Sequence, residues 1–246
     1  MSAAHERMKD FYEGYWQHRI ASQYIHTRDG MWVPERVYAT LRLIGSPNNR
    51  PLKILDVGCG EGTVGKLLKE KHANKVHLTG IDISKTALEM AGSFYDKVAE
   101  FDADSDSFSS ILPQEKFDCI IAMEMLEHLF NPKRALEQFR LVLEPDGCLI
   151  VSVPNMVHWR YRLQYLRGHL PGENTLYEIG EHLQNFTYFS FKKLVESAGY
   201  SVLALDGQFQ IPLGRVMPKT LFKFLGQNLP NLFGYQIVLK LKKNIN

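Results

Sequence analysis

Cysteine is scarce in this sequence: Cys59, Cys119 and Cys148 are far apart, each in or beside an apolar run. Neither a zinc-ligand spacing nor a disulfide framework can be built from them, so reduced, mostly buried thiols are expected. Long hydrophobic runs are missing as well. No stretch approaches the roughly 18 apolar residues of a membrane span, and the polar segment Met1–Asp10 has no signal core. A soluble, cytoplasmic protein is the expectation. A strong overall charge is also absent, the formal net charge being +2, which argues against a protein that wraps a polyanion. Acids do vanish locally. After Asp206 there is no Asp or Glu, while Arg215, Lys219, Lys223, Lys240, Lys242 and Lys243 remain. Such a tail can meet an anionic surface or substrate, or its basic groups can simply be solvated.

What is present is a core. At 45% hydrophobic and 23% charged, 246 residues suit one α/β domain with additions. Residues 5–20 and 34–44 carry helical patterns, the second opening on Pro34. Short apolar strands are predicted at Lys53–Val57, Val76–Ile83, Val98–Phe101, Phe117–Ala122 and Cys148–Val153. Helices are predicted between them near Thr63–Lys71, at Lys85–Phe94 behind a Ser84 cap, and from Asn131-Pro132 to Leu143. Glu144-Pro145-Asp146-Gly147 is expected to turn into the fifth strand. Continuously apolar strands that alternate with helices mark a parallel sheet covered on both faces. The alternation stops between Pro154 and Phe186. It resumes with a helix at Ser190–Ala198 and strands near Tyr200–Leu205 and Tyr235–Leu241. A single domain is expected, with residues 1–48 as a helical extension and 154–188 as an insertion on the substrate side.

The most informative segment is Ile54-Leu55-Asp56-Val57-Gly58-Cys59-Gly60-Glu61-Gly62. Glycines between a strand and a helix allow a tight turn and a close ligand approach. A literal G-x-G-x-x-G occurs at Gly60, Gly62 and Gly65, which invites a nicotinamide cofactor. Framing opposes it. A fingerprint starting at Gly60 puts Gly58 and Asp56 where apolar strand residues belong, and one starting at Gly58 makes the third glycine Thr63. An acid at the strand end suits a cationic ligand better than a pyrophosphate. S-adenosylmethionine carries an ammonium and a sulfonium and no phosphate. The next strand ends at Asp82, where a carboxylate can accept both ribose hydroxyls, unless it only caps the following helix. Asp102-Ala103 can read an adenine edge, or belong with Asp104 and Asp106 to a solvated loop.

In order and spacing, Ile54–Gly62 (ILDVGCGEG), Gly80–Ser84 (GIDIS), Phe117–His128 (FDCIIAMEMLEH), Asn131-Pro132, Arg140–Asp146 and Ser152–Asn155 (SVPN) resemble class I methyltransferases. The resemblance covers roughly residues 50–200. Within the class it points to the group holding ubiquinone-biosynthesis O-methyltransferases, MetW-like proteins and methyltransferases of surface-glycan pathways. It implies a Rossmann-like α/β fold: a seven-stranded, mostly parallel sheet with helices on both faces and the last strand antiparallel. It also implies S-adenosylmethionine as cofactor, over the carboxyl ends of strands one to four. The expected contacts there are Asp56, Gly58, Cys59, Gly60, Asp82, Ile83, Asp102, Ala103 and Met123.

Methyl transfer from a sulfonium needs alignment above all, and a hydroxyl acceptor benefits from a base. His128, just past the fourth strand, is the candidate base, with Glu124 beside it; packing of the following turn is the alternative for His128. The E-x-x-E-H spacing resembles that of the ubiquinone-pathway enzymes, where it is linked to a divalent metal. No metal is assigned here, and Glu124, Glu127 and His128 are the cluster that would hold one. His158, Trp159, Arg162 and His182 are the candidate acceptor residues, with Arg160, Tyr161 and Arg167 nearby; an amphipathic lid helix with solvated arginines is the alternative. Tyr12, Tyr15, Trp16 and Arg19 on adjacent helical turns either close over the cofactor or form the face of a docked helix. The acceptor is expected to be a small metabolite, a glycan or a lipid-linked intermediate. Nucleic acid is disfavoured for want of a broad basic surface. A homodimer and a membrane contact through the basic C-terminal segment remain open. So does a catalytically silent, MetW-like partner of another enzyme: Pro154–Arg162 looks similar to that group, whereas Leu176–Gly180 and Glu181–Thr187 look more like the general type.

Overall fold

The computed structural model describes residues 3–28, 30–45, 50–171, 182–212 and 214–244. Leu176–Gly180 and Glu181, which bear on the choice between subgroups, lie outside the described residues, as does the side chain of Arg215. Two helices open the chain, α1 (Ala3–Ala21) and α2 (Glu35–Ile44). Then follow β1 (Leu52–Val57), α3 (Thr63–His72), β2 (Val76–Asp82), α4 (Lys85–Ala91), β3 (Lys97–Glu100) and the single-turn α5 (Phe108–Ile111). After these come β4 (Phe117–Met123), α6 (Pro132–Val142), β5 (Leu143–Pro154) and α7 (Trp159–Leu166). The chain continues with α8 (Tyr188–Ser197), β6 (Tyr200–Phe209), α9 (Lys219–Asn228), α10 (Pro230–Phe233) and β7 (Gly234–Lys243).

The strands form one seven-stranded sheet in the order β3-β2-β1-β4-β5-β7-β6. β1 to β5 pair in parallel, and β7 runs antiparallel between β5 and β6. This is the Rossmann-like sheet expected, with the last strand of the chain reversed. The unbroken apolar runs have a simple cause. Alternate side chains point to opposite faces, and both faces are covered by helices. Leu55, Ile120 and Leu149 join a core with Phe139 and Phe191 on one side. Ile54, Ile121 and Ile150 join Val37, Leu68 and Leu88 on the other.

Local chemistry sets the helix starts. Ser84 Oγ accepts the Ala87 N–H at 3.2 Å, and Asn131 Oδ1 accepts that of Arg134 at 3.0 Å with Pro132 in the first turn. The expected turn at Glu144–Gly147 differs. Leu143 pairs with Phe117 and Cys148 with Cys119, so the four residues bow out as a bulge inside a strand that has already begun. Pro145 cannot donate to a ladder, and a bulge is where a strand tolerates it.

Asn155, in the SVPN segment, ends β5 as a buried junction. Its Nδ2 faces the carbonyls of Pro230 at 3.2 Å, Asn231 at 3.3 Å and Gly234 at 2.7 Å, and Oδ1 accepts the Val157 N–H at 3.3 Å. One amide thus binds the end of β5 to α10 and to the start of β7. Asn155→Leu strips donors from buried carbonyls and is expected to destabilise the fold by roughly 2–4 kcal/mol. Urea unfolding of the two proteins checks this, and an unchanged midpoint would show that the junction is dispensable.

Candidate functional site

A sheet whose strand order reverses beside its first strand leaves a crevice at the carboxyl ends there. In this protein β1 lies between β2 and β4, and a cavity of about 310 Å³ opens at that place. It is lined by Asp56, Gly58, Cys59, Gly60, Asp82, Ile83, Asp102, Ala103, Met123, Glu124 and His128. The residues expected around a cofactor therefore converge on one space, with the candidate base on its wall.

The turn after β1 is built for close approach. Gly58 and Gly60 hold φ of +71° and +53°, a region that L side chains rarely adopt. The Gly58 and Cys59 N–H groups both donate to the Ile81 carbonyl, at 2.8 and 3.1 Å. Asp82 completes the brace. Its Oδ2 accepts the Gly60 N–H at 2.9 Å and its Oδ1 the Ser84 N–H at 3.0 Å. One carboxylate joins the first turn to the second. Burial pushes its pKa up, against the backbone donors that hold it down.

Asp56 lies beneath the same turn, 3% exposed, and accepts the Tyr95 hydroxyl at 2.5 Å. Tyr95 Oη in turn accepts the Gly65 N–H at 3.2 Å. Burial raises Asp56 to about 7, with the neighbouring Asp82 adding to the rise and Tyr95 opposing it. A buried acid this easily protonated becomes a carboxylate when a cation is placed beside it. Asp56 and Asp82 at the strand ends suit a cationic ligand, while Glu61 on the turn itself is paired with Arg19.

The loop after β3 is ordered by its own acids. Asp102 accepts the Asp104 N–H and the Ser105 hydroxyl, each at 2.9 Å. Asp104 accepts the N–H groups of Phe130 and Asn131. Arg134 Nη1 donates to the carbonyls of Ala103 and Asp104. Asp102 and Ala103 thus face the cavity from a held loop, not a freely solvated one.

At the end of β4, Glu124 has φ of +50°, a strained value for a side-chain-bearing residue. Its carboxylate accepts Ser152 Oγ at 2.9 Å and Gln236 Nε2 at 2.8 Å. Those bonds draw it away from the expected metal cluster. The three donors that come together are Glu127, His128 and His182, whose ligand atoms lie within 4.8 Å of one another. Glu127 is fully buried, and among the described residues neither carboxylate oxygen has a hydrogen-bond partner, although Oε1 lies 3.9 Å from His128 Nε2. Burial and the nearby Glu124 push its pKa well up. The His128 ring stands edge-on to Tyr12 at 5.8 Å and to His182 at 4.9 Å between centroids.

Helix α1 closes one wall. Tyr12, Tyr15, Trp16 and Arg19 all line the cavity, and the Trp16 ring lies against Gly60, 2.8 Å from where a Cβ would stand. Sequence reasoning missed what holds it there. Glu13 accepts Ser84 Oγ at 3.0 Å and the N–H groups of Lys85 and Thr86 at 2.6 and 3.2 Å, at the positive end of α4. Lys9 pairs with Glu100. Arg36 also lines the cavity. Nothing local to Glu13 or Arg36 distinguishes them from solvated helix charges.

Of the four acceptor candidates, His182 alone reaches this region. His158, Trp159 and Arg162 do not line the cavity. His158 is fully buried, caps α7 by accepting the Arg160 N–H on Nδ1, and faces the Gln210 carbonyl with Nε2 at 3.3 Å. Burial lowers it to about 4, so the ring is neutral. Trp159 Nε1 donates to the same carbonyl at 2.7 Å, and Arg162 Nε to the Val157 carbonyl at 2.7 Å. His158 and Trp159 seat α7 on the segment after β6, while Arg162 ties it to the turn that precedes it. The aromatic and basic composition that marked them serves a joint between elements.

Residues 24–205 match the family model described as a methyltransferase domain, and the chain belongs to that family. Fold and site define the S-adenosylmethionine-dependent class I methyltransferases. The ubiquinone biosynthesis O-methyltransferase of Actinobacillus pleuropneumoniae serotype 7 (strain AP76) is 34% identical over 118 residues, 45% of this chain and 49% of the relative. The chain spans about half the length of the curated relatives it matches. Among solved structures, phosphoethanolamine N-methyltransferase 2 of Haemonchus contortus with S-adenosyl-L-methionine aligns with a TM-score of 0.63 at 13% identity, over 97% of this chain and 60% of that one. A complex of a methyltransferase activator with a methyltransferase from Haloferax volcanii aligns at 0.61 and 15%, over 97% and 98%. At these identities the likeness is one of fold.

Asp56 makes stability depend on pH. Its ordinary value is 3.8 and its folded value about 7, so between these the folded chain holds a proton that the unfolded chain has lost. Stability without ligand is then fullest below about pH 4 and falls as pH rises towards 7, by up to ~1.4 kcal/mol per pH unit for this one group. Asp56→Asn should flatten that fall. Urea midpoints across the window measure it, and an equally steep fall in the variant would assign the proton elsewhere.

Proposed function

We propose that this protein transfers the methyl group of S-adenosylmethionine to a hydroxyl oxygen of a small metabolite, glycan or lipid-linked intermediate. The observation that carries this reading is the single cavity that joins the glycine turn and Asp82 to His128. When bound, the cofactor supplies a methyl group already activated on a sulfonium. The protein's part is to hold it and to manage one proton. Asp82 offers its carboxylate to ribose hydroxyls, and Asp56 answers positive charge near the turn. Gly58 and Gly60 leave space for the ligand, while Arg36 suits a carboxylate. His128 would take the acceptor hydroxyl's proton as the methyl carbon passes from sulfur to oxygen and the thioether leaves, and Tyr12 and His182 would orient its ring. The name of the Actinobacillus relative supports oxygen as the acceptor atom.

A second reading is favoured by the buried Glu127 carboxyl, which no hydrogen bond among the described residues engages and which stands beside two imidazoles. Glu127, His128 and His182 would hold a divalent ion, and two imidazoles with one carboxylate suit zinc or ferrous iron better than magnesium. Such an ion would act as a Lewis acid on an acceptor oxygen, and His128 would then be a ligand instead of a base. The silent-partner alternative gains no specific residue from the structure, since strained Glu124 and His128 both face the cavity.

Asp82→Ala should weaken S-adenosylmethionine binding by roughly ten- to a hundredfold in calorimetry, the loss of about 1.5–3 kcal/mol of charged hydrogen bonding. Wild-type affinity would remove the ribose assignment. His128→Ala should slow release of S-adenosylhomocysteine with a competent acceptor by about a hundredfold or more at near-normal cofactor affinity. An unchanged rate makes the ring structural. Loss of wild-type activity on chelation, with recovery on adding zinc, selects the metal reading over the base.

A further inference from the structure

We propose that the outward face of α9 is a docking surface for an anionic lipid bilayer. Helical spacing places Leu221, Phe222 and Leu225 largely on one face and Lys219 and Lys223 on another; in the structure Leu221 leaves the packed side. What packs is Phe222 and Gly226. A Cβ at Gly226 would stand 2.5 Å from the Phe209 ring, and one at Gly214 would stand 2.8 Å from the Phe222 ring. Gln227 Nε2 secures the same side by donating to the Leu205 carbonyl at 3.0 Å. This leaves Leu221 45% and Phe224 60% exposed, flanked by Val216 at 83% and Leu229 at 46%.

Lys219 and Lys223 are exposed in the same stretch and, four residues apart, share a face. No ion pair engages either of them among the described residues. The segment offers none of its own, because positions 207–246 contain no Asp or Glu. Exposed apolar groups mixed with unpaired lysines and no acids match the interface of an anionic bilayer, where apolar side chains enter the acyl boundary and ammonium groups meet phosphates. A soluble partner protein would gain the apolar contacts but needs no such exclusion of acids. The position is also suitable. β6 runs parallel to β1–β5, since each lies on the antiparallel partner's side of β7, so Phe209 ends at the sheet edge that holds the cavity. α9 follows that end, so a bilayer there lies on the same carboxyl edge of the sheet as the cavity.

The test is co-sedimentation of the full chain with vesicles of phosphatidylcholine alone and with about one-third phosphatidylglycerol. Binding should need the anionic lipid and fade with salt. Lys219→Glu/Lys223→Glu should lower partitioning roughly tenfold or more, and Leu221→Ser/Phe224→Ser should lower it as well. Unchanged S-adenosylmethionine affinity in both variants shows that they fold, and the salt series on the wild type is independent of either. Equal binding to neutral vesicles, no binding at low salt, or variants that bind like the wild type would overturn the proposal. So would a dimer in sedimentation velocity that both variants dissolve, which would give this face to a second copy of the chain.

Discussion

The carboxylate of Asp82 is the joint on which the site depends. It binds the Gly60 N–H on one side and the Ser84 N–H on the other, and so ties the turn after β1 to the start of α4. Gly58 and Gly60 reach positive φ without steric cost, and without that brace only the Gly58 and Cys59 bonds to the Ile81 carbonyl would fix the turn. The same carboxylate raises the proton affinity of Asp56 below it. Turn geometry and site electrostatics therefore share one residue.

Around this joint the walls come from distant parts of the chain. Glu13 anchors α1 at the N-terminus of α4, which sets Trp16 against Gly60 and Tyr12 against His128. The opposite wall depends on the reversed strand. Because β7 runs antiparallel, its early residue Gln236 lies opposite Pro154 at the carboxyl edge, where it binds Glu124. With Glu124 drawn towards Gln236 and Ser152, Glu127 is left buried beside the two histidines. A change of strand direction thus decides which carboxyl stands next to His128.

Much of this was legible along the chain because it is local. Unbroken apolar runs alternating with helical patterns imply a parallel sheet, and Ser84 and Asn131 mark helix starts by side-chain bonds to backbone three residues on. The bulge at Glu144–Gly147 was not legible, since a strand containing Pro145 carries the same signals as a turn. The bonds that His158, Trp159 and Arg162 make were hidden for a related reason. Aromatic and basic groups serve a ligand or a joint equally well, and only the partner distinguishes the two, here the Gln210 carbonyl for His158 and Trp159 and the Val157 carbonyl for Arg162.

By itself the sequence determined the sheet, the glycine turn and the acids at the strand ends, because backbone conformation and strand-end position are set by residues close in sequence. Tertiary structure decided the rest: that α1 closes the cavity, that His182 and not Glu124 joins Glu127 and His128, and that α9 turns Phe224 outwards. Each of these rests on contacts between residues from different elements, whose free energy exists only once the fold has brought them together, so no local pattern could have encoded it.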